Sequence, residues 1–389
     1  MTNFDKIIDR RGTNCLKYDF AVERGYPTEV LPFWVADMDF PAPQPVIDEL
    51  LHRSRHGIFG YTEPKEDYFS VLCHWFSTRH GWEPPQDSLV ITPGVVFAIC
   101  TAIRAFTHPG DAVLISQPVY YPFSLAVKQN HRKLVDSTLV LRDDHYEIDF
   151  ADFEQKIQQE KVKLFLLCSP HNPVGRVWTR SELLRIAEIC RRHHVLVVSD
   201  EIHADFIRKG FRHTVFASLS PEIDAMTVTC TAPSKTFNLA GLQVSNIFIS
   251  DRELREKFRA ELSAVGYSQP NALGLFAAQS AYAQGGSWLE ELLFYLEQNL
   301  QKTKAFLSQE MPRARLIEPE GTYLLWLDFS DYGWTDAELD RRIIEKGNLW
   351  LDSGHIFGVS GSGFQRINMA CPWSTLEHGL HCLAKALRS

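Results

Sequence analysis

The sequence predicts an α/β fold: a mostly parallel central sheet with helices on both faces, joined to a smaller α+β part. Three observations carry that prediction. Apolar runs of strand length alternate with helical patterns through the middle of the chain. Polar residues gather directly after each of those runs. Beyond about Gly286 the alternation gives way to a long helix followed by strand-like and helical segments.

The runs "SLVIT" (88–92), "AVLIS" (112–116), "KLFLLC" (163–168), "VLVVS" (195–199) and "MTVTC" (226–230) read as buried strands. They are continuously apolar, as strands covered on both faces are. Helical patterns lie at Gly94–Phe106, Pro122–Gln129 and Thr179–His193. Strands separated by helices need crossover connections, which make them parallel. "VSNIFIS" (244–250) follows 226–230 too closely for a crossover helix and reads as an antiparallel insertion in the same sheet. Next come a long helix, Trp288–Gln309, strand-like "GTYLLWLDF" (321–329), a helix over 336–347, strand-like "FQRINMAC" (364–371) and a closing helix. Residues 1–45 are irregular and proline-rich, an arm expected to pack beside the smaller part. The expected partition is 1–45 for the arm, 46–286 for a large domain and 287–389 for a small one.

A chain of 389 residues is too long for one simple core. With 45% hydrophobic and 23% charged residues it has the composition of a globular protein. The formal charge of −8, with the basic residues dispersed, argues against a nucleic-acid surface. No apolar run is long enough to span a bilayer, and the polar start "MTNFDKIIDRRGTNC" lacks a signal-peptide core, so a cytoplasmic location is expected. The cysteines (Cys15, Cys73, Cys100, Cys168, Cys190, Cys230, Cys371 and Cys382) have neither zinc-ribbon nor C-x-x-C spacing and are expected to be buried and reduced. His193 and His194 are adjacent and no H-E-x-x-H occurs, so no metal is expected.

The strand runs are followed by "TPG", "QPVYYP", "SPHNPVG", "DEIH" and "TAPSK". In a parallel sheet these segments leave on one edge, where open α/β sheets bind their ligands. Tyr120, Asn172, Asp200, His203 and Lys235 are therefore expected to meet in one crevice. Each also has a plain structural reading. Asp200 and Glu201 are suited to capping a helix, Asn172–Pro173 to a turn, Tyr120 to rim packing and Lys235 to the surface. The argument rests on the set. A lysine among small and apolar residues has a lowered pKa and is a usable amine nucleophile. A carboxylate at a neighbouring strand end can pair with a cationic ring nitrogen. Together they suit pyridoxal phosphate, which takes an imine at its aldehyde and an ion pair at its pyridinium. The helix opening at Gly94 offers free N–H groups to a phosphate, with hydroxyls from Ser234 and Thr231. Tyr120 is suited to cover the ring.

"SPHNPVG", "SDEIHADF" and "APSKTFNLAGLQ" resemble, in order and spacing, the signatures of fold-type I pyridoxal-phosphate enzymes of the class I/II aminotransferase superfamily. Asn172 to Asp200 is 28 residues and Asp200 to Lys235 is 35. "DRRGTNCLKYD", "LPFWVADMDFPAP", "HGIFGY", "PSKTFN" and "GFQRINMAC" extend the likeness to both ends and resemble the bacterial cystathionine β-lyase (carbon–sulfur lyase) subfamily. The resemblance implies that 46–286 binds the cofactor and that Lys235 carries it as an imine. It implies Asp200 at the ring nitrogen, Asn172 at the ring oxygen, Tyr120 stacked on the ring and His203 beside it. Gly94, Val95 and Ser234 would hold the phosphate, joined by Tyr61 from the partner of a homodimer. Arg366 would grip the substrate carboxylate as a bidentate fork. Tyr61, Asn172 and Trp34 would complete the substrate pocket, although core packing explains Phe33 and Trp34 equally well. Many aminotransferases carry an arginine eight residues after the lysine; here that position is Gln243, in keeping with the lyases. The implied reaction is β-elimination from a sulfur amino acid, with Lys235 as base at Cα and Tyr120 or Lys235 assisting the departing thiol. A transaminase using the same residues, and a binding or regulatory module on the same fold, are the alternatives at this point.

Overall fold

The computed structural model describes residues 2–388. Its centre is a seven-stranded sheet of β1 (Leu89–Thr92), β2 (Ala112–Ile115), β3 (Lys133–Asp136), β4 (Leu164–Cys168), β5 (Leu196–Asp200), β6 (Thr227–Thr231) and β7 (Ser245–Phe248). The spatial order is β1-β7-β6-β5-β4-β2-β3. Six strands run one way, and β7 runs antiparallel to both β1 and β6. The segment between β6 and β7 holds only one helical turn, Pro233–Thr236, and a 3-10 turn, Ala240–Leu242. That is too short for a crossover, so the chain re-enters at the edge it has just left. The antiparallel insertion expected at 244–250 is observed. Strand β3 was not anticipated; it is a polar edge strand with little apolar signal.

Continuous apolar strands arise because alternate side chains feed two different cores. In β4, Leu164, Leu166 and Cys168 enter one core while Phe165 and Leu167 enter the other. The first core lies under the helices Val95–Phe106, Pro122–Gln129 and Arg252–Ala264, through residues such as Ala98, Ile99, Phe123 and Phe258. The second lies under Phe150–Glu160 and Arg180–Arg192, through Phe153, Ile157, Leu183 and Ile186. The Arg180–Arg192 helix starts on a capping box: Thr179 accepts from the Glu182 N–H while Glu182 accepts from that of Thr179. With both faces covered, only the sheet edges remain for polar chemistry.

The C-terminal part carries a second sheet of β8 (Arg315–Ile317), β9 (Leu324–Asp328), β10 (Asp352–Ser353) and β11 (Phe364–Asn368), antiparallel in the order β8-β9-β11-β10. The helices Gly286–Glu310 and Trp373–Arg388 pack on it, sharing a leucine-rich core with β9. The N-terminal arm joins this part: Leu31–Pro32 pairs in parallel with Leu349–Trp350. Within the arm, buried Lys17 pairs with Asp39 at 2.9 Å, with Arg10 at 2.7 Å from the same carboxylate. All eight cysteines are free thiols, but only Cys168, Cys190, Cys230 and Cys371 are buried; the other four are half-buried on helices or in the arm, correcting the expectation that all are enclosed. Among the described residues, no helix is long and apolar enough to cross a membrane.

A buried ion pair stitches the two parts together. Arg176, in the loop after β4, donates from Nε to Glu320 of the C-terminal part at 2.9 Å, and Nη2 reaches Glu182 at 3.0 Å. Glu320 also accepts from the Val177 N–H at 2.7 Å. Arg176→Ala strands the buried Glu320 carboxylate and is expected to lower the unfolding free energy by about 3–5 kcal/mol. Calorimetric melting of the variant measures this, and an unchanged melting temperature contradicts it.

Candidate active site

A cleft of about 140 Å³ opens where the parallel strands end. Most wall residues arrive by a short path from a strand. Gly94 and Val95 follow β1, Tyr120 follows β2, and Asn172 follows β4. Asp200 ends β5 and His203 lies in the turn beyond it. Ser234 and Lys235 follow β6, and Gln243 leads into β7. The structure thus brings together eight residues expected at the site, and Gln243 with them. Thr231 is not among them: its hydroxyl donates to the Asn246 carbonyl at 2.9 Å and is spent inside the sheet.

Burial dominates the electrostatics. It pushes the Lys235 ammonium down to about 8; Asp37 and Asp200 oppose that shift and Arg366 adds to it. Burial raises the Asp200 carboxyl to about 7, against the Ile202 N–H and the charge of Lys235. The same cause, joined by Lys235 and Arg366, keeps His203 well below its ordinary value and therefore neutral. The Tyr120 phenol is pushed up by burial and stays protonated. The two adjacent carboxylates divide their roles. Glu201 is consumed structurally by Ser199, His213 and the Phe216 N–H. Among the described residues, Asp200 accepts only from the Ile202 N–H, at 3.1 Å, and no helix follows for it to cap.

The donor set fits pyridoxal phosphate. Lys235 and Asp200 supply an amine and a carboxylate on one cleft. The Val95–Phe106 helix begins without a side-chain cap, so no side chain competes with an anion for its first N–H groups. A Cβ built on its N-cap residue, Gly94, would meet nothing within 4 Å, which leaves room for a phosphate against the backbone. The Ser234 hydroxyl and the Gln243 amide lie on the same cleft as neutral donors. Buried His203 Nδ1 has no partner among the described residues.

Three expected site residues lie elsewhere. Arg366 is buried in β11, with Nη1 donating to Asn172 Oδ1 at 3.0 Å and Nη2 to the Trp34 carbonyl at 2.8 Å. It also forms an ion pair with Asp352. Trp34 is buried and stacks on Trp350 at 4.3 Å, so its side chain packs while its carbonyl serves Arg366. Tyr61 is 94% exposed, in an extended loop with Ile58 and Phe59 exposed beside it.

Sequence reasoning missed the residues that reach the site from the arm. The Lys235 amine donates to the Ala36 carbonyl at 3.4 Å, and the Tyr323 hydroxyl donates to the same oxygen at 2.6 Å. Asn238 clamps this segment. Its amide donates to the Met38 and Phe40 carbonyls at 2.9 and 2.8 Å and accepts from the Met38 N–H at 2.9 Å. A signal existed in the asparagine of "PSKTFN" and the paired acids of "VADMD", but nothing local joined them.

The family model for aminotransferase class I and II matches residues 28–383. The chain is 47% identical to cystathionine β-lyase PatB of Bacillus subtilis (strain 168), over 99% of this chain and all of that one. A pyridoxal-phosphate-bound protein from Clostridium difficile 630, provisionally named an aminotransferase, superposes with a TM-score of 0.97 at 41% identity over the full length of both chains. The pyridoxal-phosphate-bound C–S lyase of Staphylococcus hominis superposes at 0.93 with 34% identity, covering all of this chain and 99% of that one. This chain belongs to the aminotransferase class I and II family.

In the cofactor-free protein, Lys235 is expected to be neutral above about pH 8. Its reaction with cyanate, followed by mass spectrometry of the Lys235 peptide, should rise with a midpoint near that pH. A midpoint near the 10.5 of an ordinary lysine contradicts the burial argument.

Proposed function

We propose that this member of the family is a pyridoxal-phosphate-dependent carbon–sulfur lyase of the cystathionine β-lyase type. It takes cystathionine or a cysteine S-conjugate, with one water, to a thiol, pyruvate and ammonia. The observation that carries this reading is the Lys235–Asp200 pair on one cleft, in a chain 47% identical end to end to a cystathionine β-lyase.

Pyridoxal phosphate, when bound, supplies an aldehyde for amines and a ring that accepts the electron pair released at Cα. This chain's residues do the rest. The Lys235 amine would hold the cofactor at its aldehyde and, when not so engaged, would be the base for the Cα proton; burial keeps a large neutral fraction near pH 8. Asp200 would be the carboxylate that holds the cofactor's ring nitrogen, whose positive charge would favour the ionised carboxylate against the burial that raises it. With Asn172 Oδ1 occupied by Arg366, the amide nitrogen is left to donate to the ring oxygen. Arg366 takes the substrate carboxylate. The helix start at Val95, with Ser234 and Gln243, holds the phosphate through neutral donors. Tyr120, kept protonated by burial, is the donor assigned to the departing sulfur. The active form is a homodimer in which the exposed Ile58–Tyr61 loop crosses to the partner and Tyr61 meets its phosphate. Exposed Ile58, Phe59 and Tyr61 on one loop support that assignment.

The C. difficile neighbour's name favours a second reading, a transaminase using the same residues. Incubation with cystathionine separates the two: pyruvate and free homocysteine are expected without added keto acid, and a strict keto-acid requirement overturns the lyase. The purified protein is expected to be yellow, and Lys235→Ala to lose that absorption band. A colourless wild type that stays colourless with added pyridoxal phosphate contradicts the cofactor assignment. Asp200→Ala is expected to retain some cofactor and lose most activity, by roughly a hundredfold or more.

A further inference from the structure

We propose that Asp352 is a positioning residue for substrate recognition: it holds the buried Arg366 guanidinium in the orientation that grips the substrate carboxylate. The proposal rests on the carboxylate-binding role given to Arg366 above.

Asp352 and Arg366 stand directly opposite each other on the antiparallel strands β10 and β11. Side chains at such positions share one face of the sheet with Cβ atoms about 5 Å apart, so the register itself builds the pair. Both residues are buried, at 6% and 3% exposure. Asp352 differs from three other buried carboxylates. Glu201, Asp205 and Glu320 each accept from several groups, including a backbone N–H or a hydroxyl. Among the described residues, Asp352 has one hydrogen-bonding partner, Arg366. Its burial is therefore not compensated by any local structural duty. A buried ion pair is seldom the most stable filling for its space, and well-packed apolar residues often do as well. Retaining one here fits a task of orientation.

The guanidinium shows what that task is. Asp352, the Trp34 carbonyl and Asn172 Oδ1 take three of its five N–H groups, and Phe357 packs beneath it with the ring centre 4.9 Å from Cζ. Nε is buried without a partner, which points to an acceptor still to come. Without the Asp352 charge, the buried cation has only neutral acceptors to hold it. It is then expected to leave this arrangement and to release Asn172 as well.

Asp352→Asn keeps the shape and an acceptor but removes the charge. The KM for cystathionine is expected to rise roughly tenfold to a hundredfold, with kcat moving far less. The dissociation constant for L-alanine, read from the absorption change of the holoenzyme, should rise by a similar factor. That for methylamine, which has no carboxylate, should not change, and cofactor absorbance should stay at the wild-type level. Asp352→Glu restores the charge and is expected to show a smaller ratio of alanine loss to methylamine loss; it also serves should the asparagine variant not fold. A KM and an alanine affinity within twofold of wild type overturn the proposal, and so does an equal loss for methylamine. Alanine binding needs no elimination, so it reads Asp352 even if the protein proves to be a transaminase.

Discussion

The structure depends on one constraint: a parallel sheet covered by helices on both faces has nowhere to put polar chemistry except along an edge. The central sheet feeds side chains into cores on both of its faces, as β4 does with Leu164 and Phe165. Apart from edge strand β3, the strands therefore carry no charge before their ends, and the first charged residue appears where cover ends. Asp200 is that residue on β5, and Lys235 and Asn172 follow one short turn beyond their strands. Residues distant in sequence share a cleft because they share a direction.

The same enclosure governs the chemistry. Lys235 and Asp200 feel little of the solvent that would keep them charged, and both are drawn toward neutrality near physiological pH. Such a pair stays uncommitted until a ligand arrives with a group for each to meet. Arg366 cannot solve burial in that way, since a guanidinium does not give up its proton. It is answered by the Asp352 carboxylate, and Lys17 is likewise paired with Asp39. Lys235 and Asp200 are poised for reaction, while the Arg366 guanidinium is held in an ion pair.

Legibility in the sequence followed the range of each interaction. The strands and most of the helices came from local periodicity, and β7's reversed direction from the shortness of its connection. The eight cleft residues were legible because strand ends are local features. Edge strand β3 was not, since its solvated side chains carry no apolar pattern. Thr231 shows the limit most clearly. It has the right residue type beside the right strand, but its hydroxyl is taken by the Asn246 carbonyl of the neighbouring strand.

By itself, the sequence determined the α/β architecture, the places of most of its buried strands along the chain, the common edge on which its lysine, aspartate and asparagine lie, and the family to which the chain belongs. Each follows from spacing along the chain, which sequence records directly. Only the tertiary structure decided that Asp352 faces Arg366, that Asn238 draws the Ala36–Phe40 segment onto Lys235, and that Trp34 serves through its carbonyl. It also decided that Tyr61 is exposed and lies outside the lining of its own chain's cleft. These are choices of partner made across strands and between distant segments. A residue's type limits what it can bond with, but register and packing decide which group stands opposite.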